Sequence, residues 1–352
     1  MIIIKSLINN ALYVEDLDNC INNTISFGIL RNSKILITGA TGLIGSFLVD
    51  VLHRANETHN INIKIYALGR NKKRFYQRFP YFLESDDVIF IEHDVIDTLD
   101  IGDSDIDYCI HAASNAYPAV MYNDPVGTIM ANVQGTYNLL DCLTRHNGKR
   151  FVFISSGEVY GTVISTKEFH ENVSGIVDLL NVRSCYPLSK RVAENLCVGY
   201  STQYNLETVI VRPCHTYGPN NTQVDNRANV QFINNAAAKK NITLKSNGLQ
   251  LRSYSYIADT CSGLLTVMIN GNNKEAYNLS NSNSIITIRG FAEIVAQQAG
   301  VELHFASDDT QPSPFDNAVL NNDKLKGLGW NAIYDINTGI EHTLNVVRWL
   351  KC

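Results

Sequence analysis

Between residues 34 and 211, short apolar runs alternate with segments of helical period. Residues 35–37 (Ile35, Leu36, Ile37), 63–68, 88–91, 108–110, 150–154 and 207–211 read as strands. After the first of them, Leu43, Phe47 and Val51 recur at helical spacing. Residues 128–146, and the stretch from Tyr186 through Ala193, Leu196 and Tyr200, carry the same period. Beyond residue 212 the alternation loosens, which predicts a separate lobe, and an amphipathic helix from about residue 336 closes the chain. Ahead of the first strand, Leu12, Val14, Leu17, Cys20 and Ile21 predict a short helix packed on the domain edge. The pattern divides the chain into an extension over 1–32, a first domain over 33–212 and a lobe mainly over 213–352. Segments near 250–280 are expected to return to the first domain. No internal repeat or low-complexity tract interrupts it.

Composition narrows the classes of function. With 352 residues, 45% hydrophobic and 18% charged, the chain can bury a large core as an ordinary soluble protein. A net charge of −5, with no basic cluster larger than Lys72-Lys73-Arg74, argues against nucleic acid as a main partner. No apolar run approaches the ~20 residues that cross a bilayer. The early acids Glu15 and Asp16 make a poor secretory signal. Cysteines at 20, 109, 142, 185, 197, 214, 261 and 352 form no C-x-x-C pair and meet no histidine at metal-ligand spacing. Reduced thiols, no metal and a cytoplasmic setting are expected.

The first strand runs into Gly39-Ala40-Thr41-Gly42-Leu43-Ile44-Gly45 and then a helix. Strand, glycine turn and helix in that order predict a dinucleotide site rather than a plain turn. Gly39 allows the tight turn, Gly42 lets backbone approach a pyrophosphate, and Gly45 lets the helix pack closely on the strand. The helix N-terminus then offers free N–H groups and a positive dipole end to the anion. After the second strand, Gly69 stands where NAD-selective sites carry an acid for the adenine ribose. Arg70 follows, and a guanidinium there can pair with a 2′-phosphate, which favours NADP. As a solvated surface arginine it would leave NAD equally well served. The fourth strand ends in His111-Ala112-Ala113-Ser114, small residues that let the chain pass close to a cofactor.

The fifth strand delivers Ser155-Ser156-Gly157-Glu158-Val159-Tyr160-Gly161, and Tyr186-Pro187-Leu188-Ser189-Lys190 opens a later helix. Tyr186 and Lys190, four apart, share one helix face. A free tyrosine has a pKa near ~10 and is a poor base at neutral pH. An ammonium beside it, with a positive nicotinamide, is expected to favour the phenolate. Tyr186 can then take a hydroxyl proton as hydride leaves the same carbon, with Ser156 fixing the oxygen.

The G-x-x-G-x-x-G spacing resembles the short-chain dehydrogenase/reductase superfamily. Three further segments resemble its extended branch, the nucleotide-sugar epimerases, dehydratases and decarboxylases. They are R-P-x-x-x-Y-G-P over 212–219, G-x-Q-x-R-S-Y over 248–254, and Leu328-Gly329-Trp330. The likeness extends over residues 34–330. It implies an α/β fold: a Rossmann-type, doubly wound parallel sheet with a smaller C-terminal lobe for a nucleoside-diphosphate sugar. It also implies a homodimer and a tightly held NAD(P) that oxidises C4 of the sugar and is then restored. Carried over residue by residue, Gly39, Thr41, Gly42, Leu43, Ile44, Gly45, Arg70, Asp94, Val95, Ala112, Ala113, Ser114, Asn132, Tyr186, Lys190 and Pro213 would hold the cofactor. Ser156, Glu158, Tyr186 and Lys190 would be catalytic. Arg183, His215, Arg227 and Arg252 would bind the sugar nucleotide.

Glu158 matches the dehydratases and UDP-glucuronate decarboxylases, where the 4-epimerases usually have a small or aliphatic residue. A carboxylate there can take the C5 proton once C4 is a ketone. The dTDP-glucose dehydratases add an aspartate before that glutamate to protonate a leaving hydroxyl, and here Gly157 stands in its place. Decarboxylases need no such acid. They share the R-x-x-Y-x-x-x-K-R pattern of 183–191, the Asp225 and Arg227 of a D-G-R segment, and the Q-x-R-S segment of 250–253. They usually carry serine at the position of Gly157, asparagine at that of His215, and NAD. The expected activity is a UDP-glucuronate decarboxylase-like lyase, with a 4,6-dehydratase or a 4-epimerase as the alternatives.

Overall fold

Strand β1 (Lys34–Thr38) is an interior strand of the main sheet, with Ile35, Leu36 and Ile37 buried. The strands that follow are β2 (Lys64–Gly69), β3 (Val88–Glu92), β4 (Tyr108–His111), β5 (Arg150–Ile154), β6 (Glu207–Pro213), β7 (His215–Tyr217) and β8 (Ile242–Leu244). After them come β9 (Leu251–Tyr256), β10 (Glu275–Leu279), β11 (Ile285–Thr287), β12 (Leu303–Phe305) and β13 (Asn317–Ala318). The computed structural model describes residues 6–83, 85–102, 105–163, 168–222, 225–306 and 317–351, so Cys352 lies outside them. Seven strands pair in the order β10-β6-β5-β4-β1-β2-β3, every pair parallel. Parallel strands need crossover connections, and the helices between them supply these on both faces. Strand order reverses between β1 and β4, and that switch point opens a crevice at the carboxyl ends of the strands. This is the Rossmann-type sheet the sequence implied, and β10 forms its edge beside β6.

The helices are α1 (Ala11–Asn23), α2 (Leu43–His59), α3 (Lys72–Arg78), α4 (Pro118–Asn123), α5 (Pro125–Arg145) and α6 (Cys185–Tyr204). In the C-terminal part they are α7 (Ala228–Ala237), α8 (Ile257–Asn270), α9 (Ile288–Ala299), α10 (Asp323–Lys326) and α11 (Ile336–Lys351). A second sheet forms around β9, which pairs with β7, β11 and β13, and β8 pairs with β12. These short strands, with α7, α9 and α11, make the lobe.

Helix α1 is tied into the molecule by two buried carboxylates. Its Tyr13 hydroxyl donates to Asp50 of α2 at 2.7 Å, and Arg78 and Tyr81 reach the same carboxylate. Asp16, wholly buried, accepts from the hydroxyls of Tyr256 (2.5 Å) and Tyr334 (2.8 Å) and pairs with His342 Nδ1 at 2.9 Å. Helix α1 therefore joins the first domain to the end of β9 and to α11, a larger role than a helix on the domain edge.

Candidate active site

The turn after β1 has room for glycine only. Gly39 has φ +64°, and a Cβ there would lie 2.8 Å from the Ala112 carbonyl oxygen and from the Ala113 backbone. In α2, a Cβ on Gly45 would sit 2.3 Å from the Gly39 carbonyl oxygen, so the helix is packed directly against the turn. Gly42 caps α2 without a side-chain hydrogen bond, leaving the first N–H groups of the helix facing the crevice. A cradle that any Cβ would fill, ending in free N–H groups, fits a pyrophosphate.

From this turn a cleft of about 830 Å³ extends along the carboxyl ends of the strands. Thr41, Leu43, Ile44, Ala112, Ala113, Ser114 and Pro213 line its middle, and Arg70, Asp94 and Val95 line the end beyond β2. Arg70 is 70% exposed, and its Nη1 lies 3.6 Å from Asp94. Arg74, on α3, and His93, just past β3, line the same end and belonged to no motif in the sequence. Asn132 alone of the expected cofactor residues stands behind the wall. It is wholly buried, accepting from Ser114 Oγ (2.8 Å) and donating to Ser189 Oγ (2.9 Å). It thus links the β4 end to the helix that carries Tyr186.

Ser156, Glu158, Tyr186 and Lys190 come together at the centre. Ser156, two residues past β5, is in extended conformation and accepts from the Glu158 N–H at 3.1 Å. Lys190 is fully buried; its Nζ donates to the Ile154 carbonyl at 2.7 Å and sits 4.6 Å above the Phe153 ring. Burial pushes Lys190 down to about 7, against the pull of Glu194. Burial, then the Glu158 charge, pushes the Tyr186 phenol up to about 12, although Ser156, Arg183 and Arg227 act the other way. The sequence expectation joined the Lys190 ammonium to a positive nicotinamide, whereas this upward shift is the sum of the protein's own groups. Among these influences burial is the largest, and it favours the protonated phenol.

The residues expected to bind the sugar nucleotide lie toward the lobe. Arg183 Nη2 holds both oxygens of Glu158, at 2.8 and 2.7 Å. Arg227, at the start of α7, is paired with Asp225 at 2.6 Å. His215 and Arg252 line the wall beside them. Burial, with the charges of Arg252 and Arg227, pushes His215 down to about 3, so it offers a neutral imidazole. Opposite Gly157 stands Leu320, whose Cδ1 would lie 3.1 Å from a Cβ at that position. Leu320, Phe169, Asn229 and Tyr254 also line the cleft. Of these only Tyr254, the end of the G-x-Q-x-R-S-Y segment, carried a mark in the sequence; folding alone brings the others there.

Residues 35–280 match the NAD dependent epimerase/dehydratase family. The chain belongs to that family. It is 32% identical over 323 residues to UDP-glucuronic acid decarboxylase 3 of Arabidopsis thaliana, spanning 88% of this chain and 90% of the relative. To UDP-glucuronic acid decarboxylase 1 of Xenopus tropicalis it is 31% identical over 324 residues, spanning 90% and 72%. Among solved structures it is similar to a UDP-glucuronic acid 4-epimerase variant from Bacillus cereus in complex with NAD and a fluorinated UDP-glucuronic acid. That match has a TM-score of 0.77 and 21% identity, over 90% of this chain and 99% of the other. A dTDP-glucose 4,6-dehydratase from Streptomyces venezuelae, solved with NAD, gives 0.76 and 22%, over 90% and 97%. At those identities the structural likeness is one of fold. The family is NAD-dependent, and the named relatives are enzymes acting on nucleotide sugars. No helix among the described residues is long and apolar enough to cross a membrane.

Proposed function

We propose that this protein decarboxylates a nucleoside-diphosphate glucuronate, with UDP-glucuronate as the best candidate, through a 4-keto intermediate. The observation that carries this reading over a dehydratase is the apolar wall opposite Gly157. Loss of a C6 hydroxyl calls for an acid at that point, and Leu320 occupies the space beside a residue with no side chain. Departure of carbon dioxide calls for no acid. The names of the curated relatives point the same way.

Gly39, Gly42, Gly45, Ala112, Ala113 and Ser114 would hold the dinucleotide, with Asn132 positioning Ser114. A bound nicotinamide supplies the hydride acceptor and donor, and in its oxidised form a positive charge beside Tyr186. Tyr186 takes the C4 hydroxyl proton, Ser156 holds the same oxygen, and Lys190 steadies the helix face through Ile154. Once C4 is a ketone, the C5–C6 bond breaks and its electron pair is delocalised onto the C4 oxygen, which Tyr186 and Ser156 face. Arg227, Arg252 and the neutral His215 would donate to the diphosphate. At the adenosine end, Arg70 and Arg74 without an acid at Gly69 favour NADP over NAD. An apolar stripe on α5, exposed Val126, Met130 and Tyr137, continues through Tyr200 to exposed Tyr204 on α6, and we take it as the face of a homodimer. The function is tested by incubating the protein with UDP-, dTDP-, GDP- and CDP-linked sugars and weighing the products. Loss of the mass of carbon dioxide from a glucuronate supports the reading. Loss of water, or an unchanged mass with shifted retention, replaces it with dehydration or epimerisation.

A further inference from the structure

Arg183 lies three residues before Tyr186, on the short turn Val182–Ser184 that leads into α6. One terminal nitrogen, Nη2, is spent on Glu158. The other, Nη1, is buried and has no hydrogen-bond partner among the described residues, although the side chain lines the cleft. A charged N–H shut away from water without an acceptor is a costly arrangement that a folded protein rarely keeps for nothing. We propose that Arg183 Nη1 receives the C6 carboxylate of the substrate, so that the guanidinium lies between Glu158 and the uronate. The inference rests on the glucuronate reading above and assigns the residue that selects the acid over the neutral sugar.

Charge and position both favour it. Arg183 is close enough to Tyr186 for each to shift the other's ionisation, and C6 is two bonds from the C4 that Tyr186 serves. The neighbouring cations are otherwise committed. Arg227 is paired with Asp225, and Arg191 donates to the carbonyls of Val159 (2.7 Å) and Gly175 (2.9 Å). A second carboxylate beside Glu158 needs a cation between the two, and the planar guanidinium can serve both at once. A C6 hydroxyl could accept one bond from Nη1, but it would bring no charge to meet it.

The placement also fixes which kinetic constant responds. The bond from Nη1 forms with the ground-state carboxylate and weakens as carbon dioxide departs and the charge moves to the C4 oxygen. An interaction lost on the way to the transition state supports binding rather than the chemical step. Arg183 should therefore govern KM for the uronate more than kcat.

The test uses the dinucleotide-bound protein and Arg183→Met, with binding of UDP-glucuronate and of UDP-glucose measured by calorimetry. Wild type should prefer the glucuronate, and the variant should lose about 10- to 100-fold of that preference, the size of one charge-assisted hydrogen bond. UDP-glucose affinity should fall by a much smaller factor, and KM for UDP-glucuronate should rise by a larger factor than kcat changes. Because methionine also frees Glu158, Arg183→Lys is the second variant. Its single ammonium can stay on Glu158 but cannot span both carboxylates, so the preference should still drop. Equal preference in wild type and either variant overturns the inference, as does a wild type that binds both nucleotides alike. A wild type that prefers the glucuronate through Arg183 yet releases no carbon dioxide leaves this inference standing and overturns the proposed reaction instead.

Discussion

Replacing Asp16 by alanine tests whether α1 is part of the structural frame. Asp16 is wholly buried and accepts from two tyrosine hydroxyls, Tyr256 and Tyr334, while also pairing with His342. Alanine leaves both hydroxyl donors without that acceptor, and a buried donor left unsatisfied costs ~1–3 kcal/mol. Asn19 still donates to the Tyr334 oxygen, and His342 is partly exposed and can meet water. Removing a buried carboxylate near Asp259 also relieves repulsion, so a net loss of ~3 kcal/mol is the reasonable sum. Over 352 residues the unfolding entropy is ~0.7 kcal/mol/K, which converts that loss to a fall of ~4 °C in Tm. Calorimetry of wild type and Asp16→Ala across pH gives a second reading. The Asp16 hydrogen bond is the largest cause raising the His342 pKa above its ordinary value. A raised histidine stabilises the fold fully below its unfolded pKa of ~6.5 and loses that contribution as pH rises through the folded value. The gap between wild type and variant should therefore be widest at mildly acidic pH and narrow toward alkaline pH. An unchanged Tm at all pH values would show that α1 is a dispensable edge helix.

Two shorter tests bear on the cofactor. Gly45→Ala places a Cβ 2.3 Å from the Gly39 carbonyl oxygen, so α2 must shift from the turn, and the purified variant should carry much less dinucleotide than wild type on extraction. Arg70→Ser should lower the ratio of NADP to NAD affinity by ~10-fold if its guanidinium meets a 2′-phosphate. An unchanged ratio in a titration would make Arg70 a bystander.

The main sheet was legible because each buried parallel strand is a short apolar run bounded by turn residues, as Ile35, Leu36 and Ile37 before Gly39 show. Tyr186, Lys190, Ser156 and Glu158 were legible because chemistry and spacing coincide within two short segments. The sheet inside the lobe was not, since β7, β9, β11 and β13 are short and pair across long separations in the chain. Leu320 had no local mark that could tell of Gly157 opposite it. Asp16 looked like any acid on a helix until Tyr256, Tyr334 and His342 folded around it. The shift that the protein's own groups impose on Tyr186 was not legible, because its spacing from Lys190 is visible in the sequence and the burial of both groups is not.

The central claim, that Tyr186 opens a C4 oxidation that ends in loss of C6, is tested most directly with UDP-glucuronate carrying heavy carbon at C6. Wild type should release the label as carbon dioxide and leave an unlabelled nucleotide pentose. Tyr186→Phe removes the phenolic proton acceptor and keeps the ring, so it should bind the same substrate while label release falls by roughly 10²- to 10⁴-fold. Label retained in the sugar by wild type, or released as fast by Tyr186→Phe, would contradict the account.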